Sequence, residues 1–316
     1  MTNTEYEIRA SVIVCTYNRA NSLTQTLDSL CKQQGMDGIG WEVIVVDNNS
    51  KDHTREVIED KAKIFSQLFY EFEEQQGLSF ARNHGIACAR GETLLFTDDD
   101  VCPESDWVQT ILRLMDQHSA EACGGYIAPI WEKEPPTWLT ERFYGFLAIK
   151  TDMEEKSITP SASAGETPFG ANMAFRREVF DRVGVFDTKL GRVGKVLASG
   201  EDSELFDRIL NSGSKVMYFP QARVHHKVEA FRVRKSYFRR WRFQASRNAA
   251  QSQNVVGKRR VFGIPVYLLI QTLTASKRAF VSKLFSAADE SFAQEMILWH
   301  FLGTLQGLWL NWRYKI

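Results

Sequence analysis

Four short apolar runs, each handing over to a polar loop and then to a helix-like stretch, constrain this chain more than any other feature. Residues 10–15 read ASVIVC, 42–47 EVIVVD, 68–72 LFYEF and 94–97 LLFT. Runs this short, rich in β-branched residues and apolar at nearly every position, fit strands that are covered on both faces. Their alternation with helical stretches predicts a mainly parallel sheet in an α/β fold. The first helix is expected over about residues 23–31 with Asn21 or Ser22 as its cap, and the second near residues 54–66.

Ligands of such sheets bind beyond the carboxyl ends of the strands. That edge carries Thr16, Tyr17, Asn18 and Arg19, then Asp47, Asn48, Asn49 and Ser50, then Gly77, Leu78 and Arg82. Asn49 and Ser50 read equally well as turn and capping residues. Asp47 follows an apolar run and would stand at the lip of the sheet, free to accept from a nucleobase or ribose. Arg82 suits a phosphate or a carboxylate partner.

The fourth run ends in Asp98, Asp99 and Asp100. Three successive like charges at the end of a buried strand repel one another and resist desolvation, so a cation is expected beside them. Oxygen ligands suit a hard divalent ion, Mg²⁺ or Mn²⁺, completed by substrate phosphates. In an extended segment Asp98 and Asp100 would share a face and Asp99 would point away. An acidic turn without any ion is the simpler alternative.

Further along, AEACGGYIAPI predicts another strand, and WEKEPPTWLTERFYG opens an irregular stretch that runs polar to about residue 165. Trp131, Trp138, Phe143 and Tyr144 in it could stack on a sugar or form core. The run TPFGANMAFRREVF sets Gly170 and Asn172 ahead of a strand. In GEDSELFDRILNSG, Glu201, Asp202 and Glu204 open a helix, where the dipole favours carboxylates in any protein. QARVHHKV offers His225 and His226 at the expected end of the sheet, as imidazole ligands or as loop residues.

Taken in order, SVIVCTYNRA, VIVVDNNSKDHT, GLSFARNHGIACARG, LLFTDDDV, GANMAFRREVF and GEDSELFDRI resemble a family 2 glycosyltransferase of the GT-A fold over roughly residues 10–226. The resemblance implies a nucleotide-diphosphate sugar donor, with UDP as the expected nucleotide, a divalent metal and an inverting mechanism. It implies that Thr16, Asn18 and Asp47 hold the nucleotide, with Tyr17, Arg19, Asn49, Ser50 and Leu78 around it and Arg82 beside it. Asp98 and Asp99 would serve ribose and diphosphate. Asp100 would bind metal, helped by Asp98 and His226. Gly170, Ala171 and Asn172 would lie near the sugar and acceptor, Trp138 would be a stacking surface, and Asp202 would be the catalytic base with Glu201 next to it.

The 316 residues carry as many acidic as basic side chains, 39 of each, so no global field recruits nucleic acid. The five cysteines show no metal-ligand spacing and read as reduced residues of a cytoplasmic protein. The amino terminus has no secretory pattern, and no run is long and apolar enough to span a membrane. Two regions are expected: a catalytic domain over 8–226 and a helical extension over 227–316. The extension is basic and aromatic, with Trp299, Trp309 and Trp312, and suits an anionic membrane surface or an oligomer interface. The expected function is building a cell-surface or extracellular polysaccharide on a glycan or lipid-linked acceptor, from the cytoplasm or the inner face of the membrane. Two rivals are a sugar nucleotidyltransferase, whose Gly-rich basic loop is missing from TYNRANSL, and a non-catalytic sugar-nucleotide-binding scaffold.

Overall fold

A computed structural model describes residues 8–160, 166–192, 200–252 and 259–313; the end of the polar run expected up to residue 165 lies outside them. In chain order the first part comprises β1 (Ala10–Thr16), α1 (Ala20–Leu30), β2 (Trp41–Asp47), α2 (Thr54–Ala62), β3 (Leu68–Phe72), α3 (Leu78–Cys88) and β4 (Thr93–Asp98). There follow β5 (Val101–Pro103), α4 (Trp107–His118), β6 (Ala122–Trp131), β7 (Lys156–Ile158), β8 (Met173–Arg176), α5 (Arg177–Val183), α6 (Glu201–Asn211) and β9 (Val216–Val228). Among the described residues nine strands form one mixed sheet, in the order β3-β2-β1-β4-β8-β6-β9-β5, with β7 against β9. The half from β3 to β4 is parallel, as the four apolar runs predict. Beyond β4 the pairing turns antiparallel through β8 and β6.

Both faces of the parallel half are covered, which explains the unbroken apolar runs. Val12 and Val14 of β1 and Val43 and Val45 of β2 join a core with Leu23, Leu27, Trp107 and Ile111 from α1 and α4. Ile13, Ile44 and Val46 point the other way and meet Ala81 and Ile86 of α3 and Leu205, Phe206 and Ile209 of α6. The alternation of side chains along each strand divides one run between two cores. Helix α3 lies unusually close to the sheet. A Cβ on Gly85 would stand 2.5 Å from Ile13 Cγ2, so only glycine lets the helix settle there.

Neither expected cap of α1 is used. The helix starts at Ala20, whose N–H donates to Asp52 Oδ2 at 3.3 Å from the loop after β2. Asp52 also takes the N–H of Thr54 at 3.1 Å, so one carboxylate serves the starts of two helices. The histidines also differ from expectation. They lie within β9 rather than after it, His226 opposite Val101 and His225 opposite Cys102.

The contacts divide the chain into two compact units. The first contains the sheet and its helices. The second gathers Trp131–Leu147 with the chain from Val228 onward, so the irregular aromatic stretch groups with the C-terminal region. Within this second unit α7 (Lys235–Ser252), α8 (Val266–Phe285) and α9 (Ala288–Arg313) are the long helices. Trp138 sits there with Phe143, Phe238 and Phe292, its ring centroid 4.6 Å from that of Phe292. None of the helices, as far as they are described, is long and apolar enough to cross a membrane.

Candidate active site

The register of the sheet assembles the site. Thr16 stands beside Asp47 and Cys15 beside Asp98, so the loops after β1, β2 and β4 leave from one edge. The loops after β1 and β2 are bound to each other. Asn18 adopts a positive φ of 52°, donates its N–H to Ser50 Oγ at 2.9 Å and accepts the Lys51 N–H on its side-chain oxygen at 2.7 Å. Asn49, also left-handed with φ 65°, donates to Glu74 O. These are positions where asparagine is tolerated better than most residues.

Asp47 is less free than the sequence suggests. It is buried, its Oδ1 accepts the Ser50 N–H at 2.9 Å and its Oδ2 the Tyr70 hydroxyl at 3.3 Å. A carboxylate has about four acceptor positions, so some capacity remains for a ligand. Tyr17 is exposed at the same loop, and Leu78 begins α3. Asn48 fixes this edge: its amide donates to Glu73 O and Gln75 O while its Oδ1 takes the Gly77 N–H at 2.7 Å.

The three aspartates do not alternate as an extended strand would require. Strand β4 ends at Asp98, and the chain turns through Asp99 and Asp100 before β5. Asp98 faces Arg82 at 3.9 Å. Asp99 accepts from Thr16 Oγ1 at 2.7 Å, and Asp100 Oδ2 takes Arg19 at 3.0 Å. On its other oxygen Asp100 meets His226 Nε2 at 3.3 Å, and both side chains are buried. Burial pushes the Asp99 carboxyl up to about 7 against the pull of Arg19.

Of the expected metal ligands, then, Asp100 and His226 meet in the structure. Asp98 is directed to Arg82 instead.

Arg82 joins the two acidic groups. Its guanidinium is 3% exposed, hydrogen-bonds Asp202 Oδ1, lies 3.3 Å from Glu201 Oε1 and stacks 5.1 Å from the ring of Phe186. Burial works against its charge, but Asp202, Glu201 and Asp98 outweigh that and its pKa is raised. Phe186 has no motif that would have marked it in the sequence. Asp202 Oδ2 also accepts the Gly170 N–H at 2.8 Å. A Cβ at Gly170 would fall 2.0 Å from Arg82 Nη2, so this glycine is required for the arginine to lie where it does. Burial and the neighbouring Asp202 push Glu201 up to about 7, and among the described residues its Oε2 has no hydrogen-bond partner.

Ala171 and Asn172 serve the fold. The Ala171 carbonyl accepts from Thr97 Oγ1. Asn172 is fully buried, donates to Tyr126 O and Ala222 O and accepts from Trp107 Nε1 at 3.0 Å. With its amide spent on three elements, it is a tie between β6, β9 and α4 rather than a sugar contact. Trp138, edge-on to three phenylalanines, likewise has a packing role in its own unit.

This mixed, mainly parallel sheet flanked by helices, with acids meeting on Arg82 at one edge, has the fold of the GT-A glycosyltransferases. The profile described as "Glycosyl transferase family 2" matches residues 11–184, and the chain belongs to that family. It is 30% identical over 234 residues to the glucosyl-dolichyl phosphate glucuronosyltransferase of Haloferax volcanii, covering 72% of this chain and 71% of the relative. It is 26% identical to the succinoglycan biosynthesis protein ExoM of Rhizobium meliloti, again over 73% and 71% of the two chains. Among solved structures, the mannosyltransferase PcManGT of Pyrobaculum calidifontis, in complex with GDP-Man and Mn²⁺, superposes with a TM-score of 0.60 at 20% identity, over 97% of this chain and 91% of that one. The TarS fragment of S. aureus with UDP-GlcNAc gives 0.55 at 18% identity, over 93% and 72%. The chain is therefore a glycosyltransferase enzyme, which sets aside both the nucleotidyltransferase and the scaffold readings.

Proposed function

We propose that this glycosyltransferase is inverting and metal-dependent, moving a sugar from a nucleotide-diphosphate donor to an acceptor hydroxyl with Asp202 as the base. The meeting of Asp202 and Asp98 on the single Arg82 guanidinium carries this reading. It sets the carboxylate that would take the acceptor proton beside the group that would face the departing diphosphate. Asp202 is fixed on one oxygen by Gly170 and on the other by Arg82. When a diphosphate offers Arg82 a second anion, its hold on Asp202 weakens and the freed oxygen can accept from a hydroxyl.

Charge balance supports a metal. Asp98, Asp99, Asp100, Glu201 and Asp202 share the cleft with Arg19 and Arg82. Arg192 adds a third guanidinium near Glu201. With Asp99 and Glu201 protonated the remaining three carboxylates are then matched, which leaves no cation in surplus for an entering diphosphate, and two like charges about 4 Å apart repel by roughly 4 kcal/mol at an effective dielectric of about 20. The chemistry of the donor set fits a divalent ion: Asp100 oxygen and His226 nitrogen converge, and substrate phosphates complete the shell. Mn²⁺ or Mg²⁺ bound there would stabilise charge on the leaving diphosphate. Thr16, Asn18 and Asp47 would hold the nucleotide, and UDP is the expected base carrier.

The relative named for a glucosyl-dolichyl phosphate supports a lipid-linked or glycan acceptor in cell-surface polysaccharide synthesis. The support for membrane proximity lies in α8 rather than in the tryptophans. Trp299 is packed on Phe243 and donates to Glu295, and Trp312 is packed on Phe262. By contrast Tyr267, Ile270, Leu273, Phe280, Leu284 and Phe285 of α8 are exposed, with Lys277, Arg278 and Lys283 on the same helix. Such a helix suits an anionic headgroup layer, here the inner face of the cell membrane. Co-sedimentation with anionic vesicles should be strong for the native protein and weak for a Phe280→Ser, Phe285→Ser variant; equal pelleting would remove the membrane reading.

The catalytic reading is tested with Asp202→Asn and a panel of nucleotide sugars in Mn²⁺. Turnover should fall by roughly 10²–10⁴-fold while donor binding, read by calorimetry, persists. Undiminished turnover would take Asp202 out of its role.

A further inference from the structure

A second cluster of metal-binding chemistry lies outside the proposed catalytic set. Glu71 on β3 and His84 and Cys88 on α3 bring one carboxylate oxygen, one imidazole nitrogen and one sulfur within 4.8 Å of one another. The geometry follows from two periodicities. Residues 84 and 88 are one helical turn apart on the same side of α3, and residues 71 and 73 alternate onto the same side of the chain leaving β3. Because β3 is the edge strand of the sheet, the cluster is open to solvent: Glu71 is 37% and His84 28% exposed.

His84 is oriented as a metal ligand would be. Its Nε2 lies 3.4 Å from Glu71 Oε2. That is the edge of a tetrahedron whose bonds are about 2.1 Å, the lengths zinc makes to nitrogen and oxygen. Its Nδ1 lies 3.2 Å from Glu73 Oε2. A carboxylate on the far nitrogen fixes the tautomer and strengthens the ligand, as in the carboxylate–histidine–zinc arrangement. The Cys88 sulfur completes the group, within 4.8 Å of the carboxylate oxygen and the imidazole nitrogen.

We propose that Glu71, His84 and Cys88 form a binding site for a borderline transition-metal ion of the Zn²⁺ type, with Glu73 positioning His84 and water in the fourth place. Sulfur and imidazole together select against Mg²⁺ and Mn²⁺, so the site is chemically distinct from the Asp100 and His226 pair. On binding, the Cys88 thiol proton passes to the buffer and the thiolate coordinates the ion. The ion then ties the edge strand to α3, the helix that carries Arg82, and stiffens the wall of the catalytic cleft.

Co²⁺ is the probe, because a bound thiolate gives it a charge-transfer absorption band. Metal-free full-length protein should develop this band with saturation at one equivalent, and Zn²⁺ should displace it. The band should be absent in Cys88→Ser and His84→Gln, each checked for native circular dichroism, and retained in Asp100→Ala. Glu73→Gln should bind roughly ten- to a hundredfold more weakly. A band that persists in folded Cys88→Ser, that disappears in folded Asp100→Ala, or that never forms in the native protein overturns the site.

Discussion

Arg19 and Arg82 stand on the same edge of the sheet and each faces aspartates of the 98–100 turn, but their surroundings differ. The Arg19 side chain is 29% exposed and bonds Asp100, and Arg82 is 3% exposed, bonds Asp202, approaches Glu201 and lies against Phe186. A part-exposed guanidinium on an acid is a stand-in that a divalent ion can replace, since water takes up the charge that leaves. A buried one between several acids has nowhere comparable to go. The comparison separates a counter-ion that can be exchanged from one that sets geometry.

Four substitutions can break or sharpen that distinction. Asp202→Asn should lower kcat by roughly 10²–10⁴-fold, the range of a positioned general base, measured by donor turnover at saturating acceptor. Arg82→Met leaves Glu201 and Asp202 facing each other without a cation and should cost about 3–5 kcal/mol in urea unfolding. A loss below about 1 kcal/mol would place Arg82 in the same class as Arg19.

Glu201→Gln tests the raised carboxyl. The folded state holds the Glu201 proton to about 7, against an ordinary value of 4.5, so it binds more protons than the unfolded chain between those values. Its contribution to stability is therefore fully present below about pH 4.5 and lost as pH rises to about 7, at no more than about 1.4 kcal/mol per pH unit. The glutamine variant should remove that slope from a pH series of melts; an unchanged slope would assign it elsewhere. Arg19→Gln should be the mildest, within about 1.5 kcal/mol of the native protein, because Arg19 is only part-buried and a glutamine amide can still donate to Asp100. A stability loss as large as that of Arg82→Met would end the comparison.

How much of this was legible beforehand depended on the range of the interactions. The parallel half of the sheet was readable because strands buried on both faces leave unbroken apolar runs, and the acids at 98–100 were readable because charge directly after such a run is costly, whereas Glu201 and Asp202 stood out only through the family resemblance, since carboxylates open many helices. The packing role of Asn172 was not readable because its partners at Trp107, Tyr126 and Ala222 are remote in sequence, and a motif records only neighbours. The cap of α1 by Asp52 was missed for the same reason. Cys88 was set aside because cysteines were compared with cysteines. The informative spacing was four residues, to a histidine, and its third member comes from a strand.

Gly85 has a consequence for anyone who alters this enzyme. The missing methyl group lets α3 rest on Ile13, and the same helix presents Arg82 to one side and His84 to the other. A side chain at position 85 would act as a shim under that helix, tilting both at once. Efforts to retune donor preference should therefore change the loops and leave this seam bare.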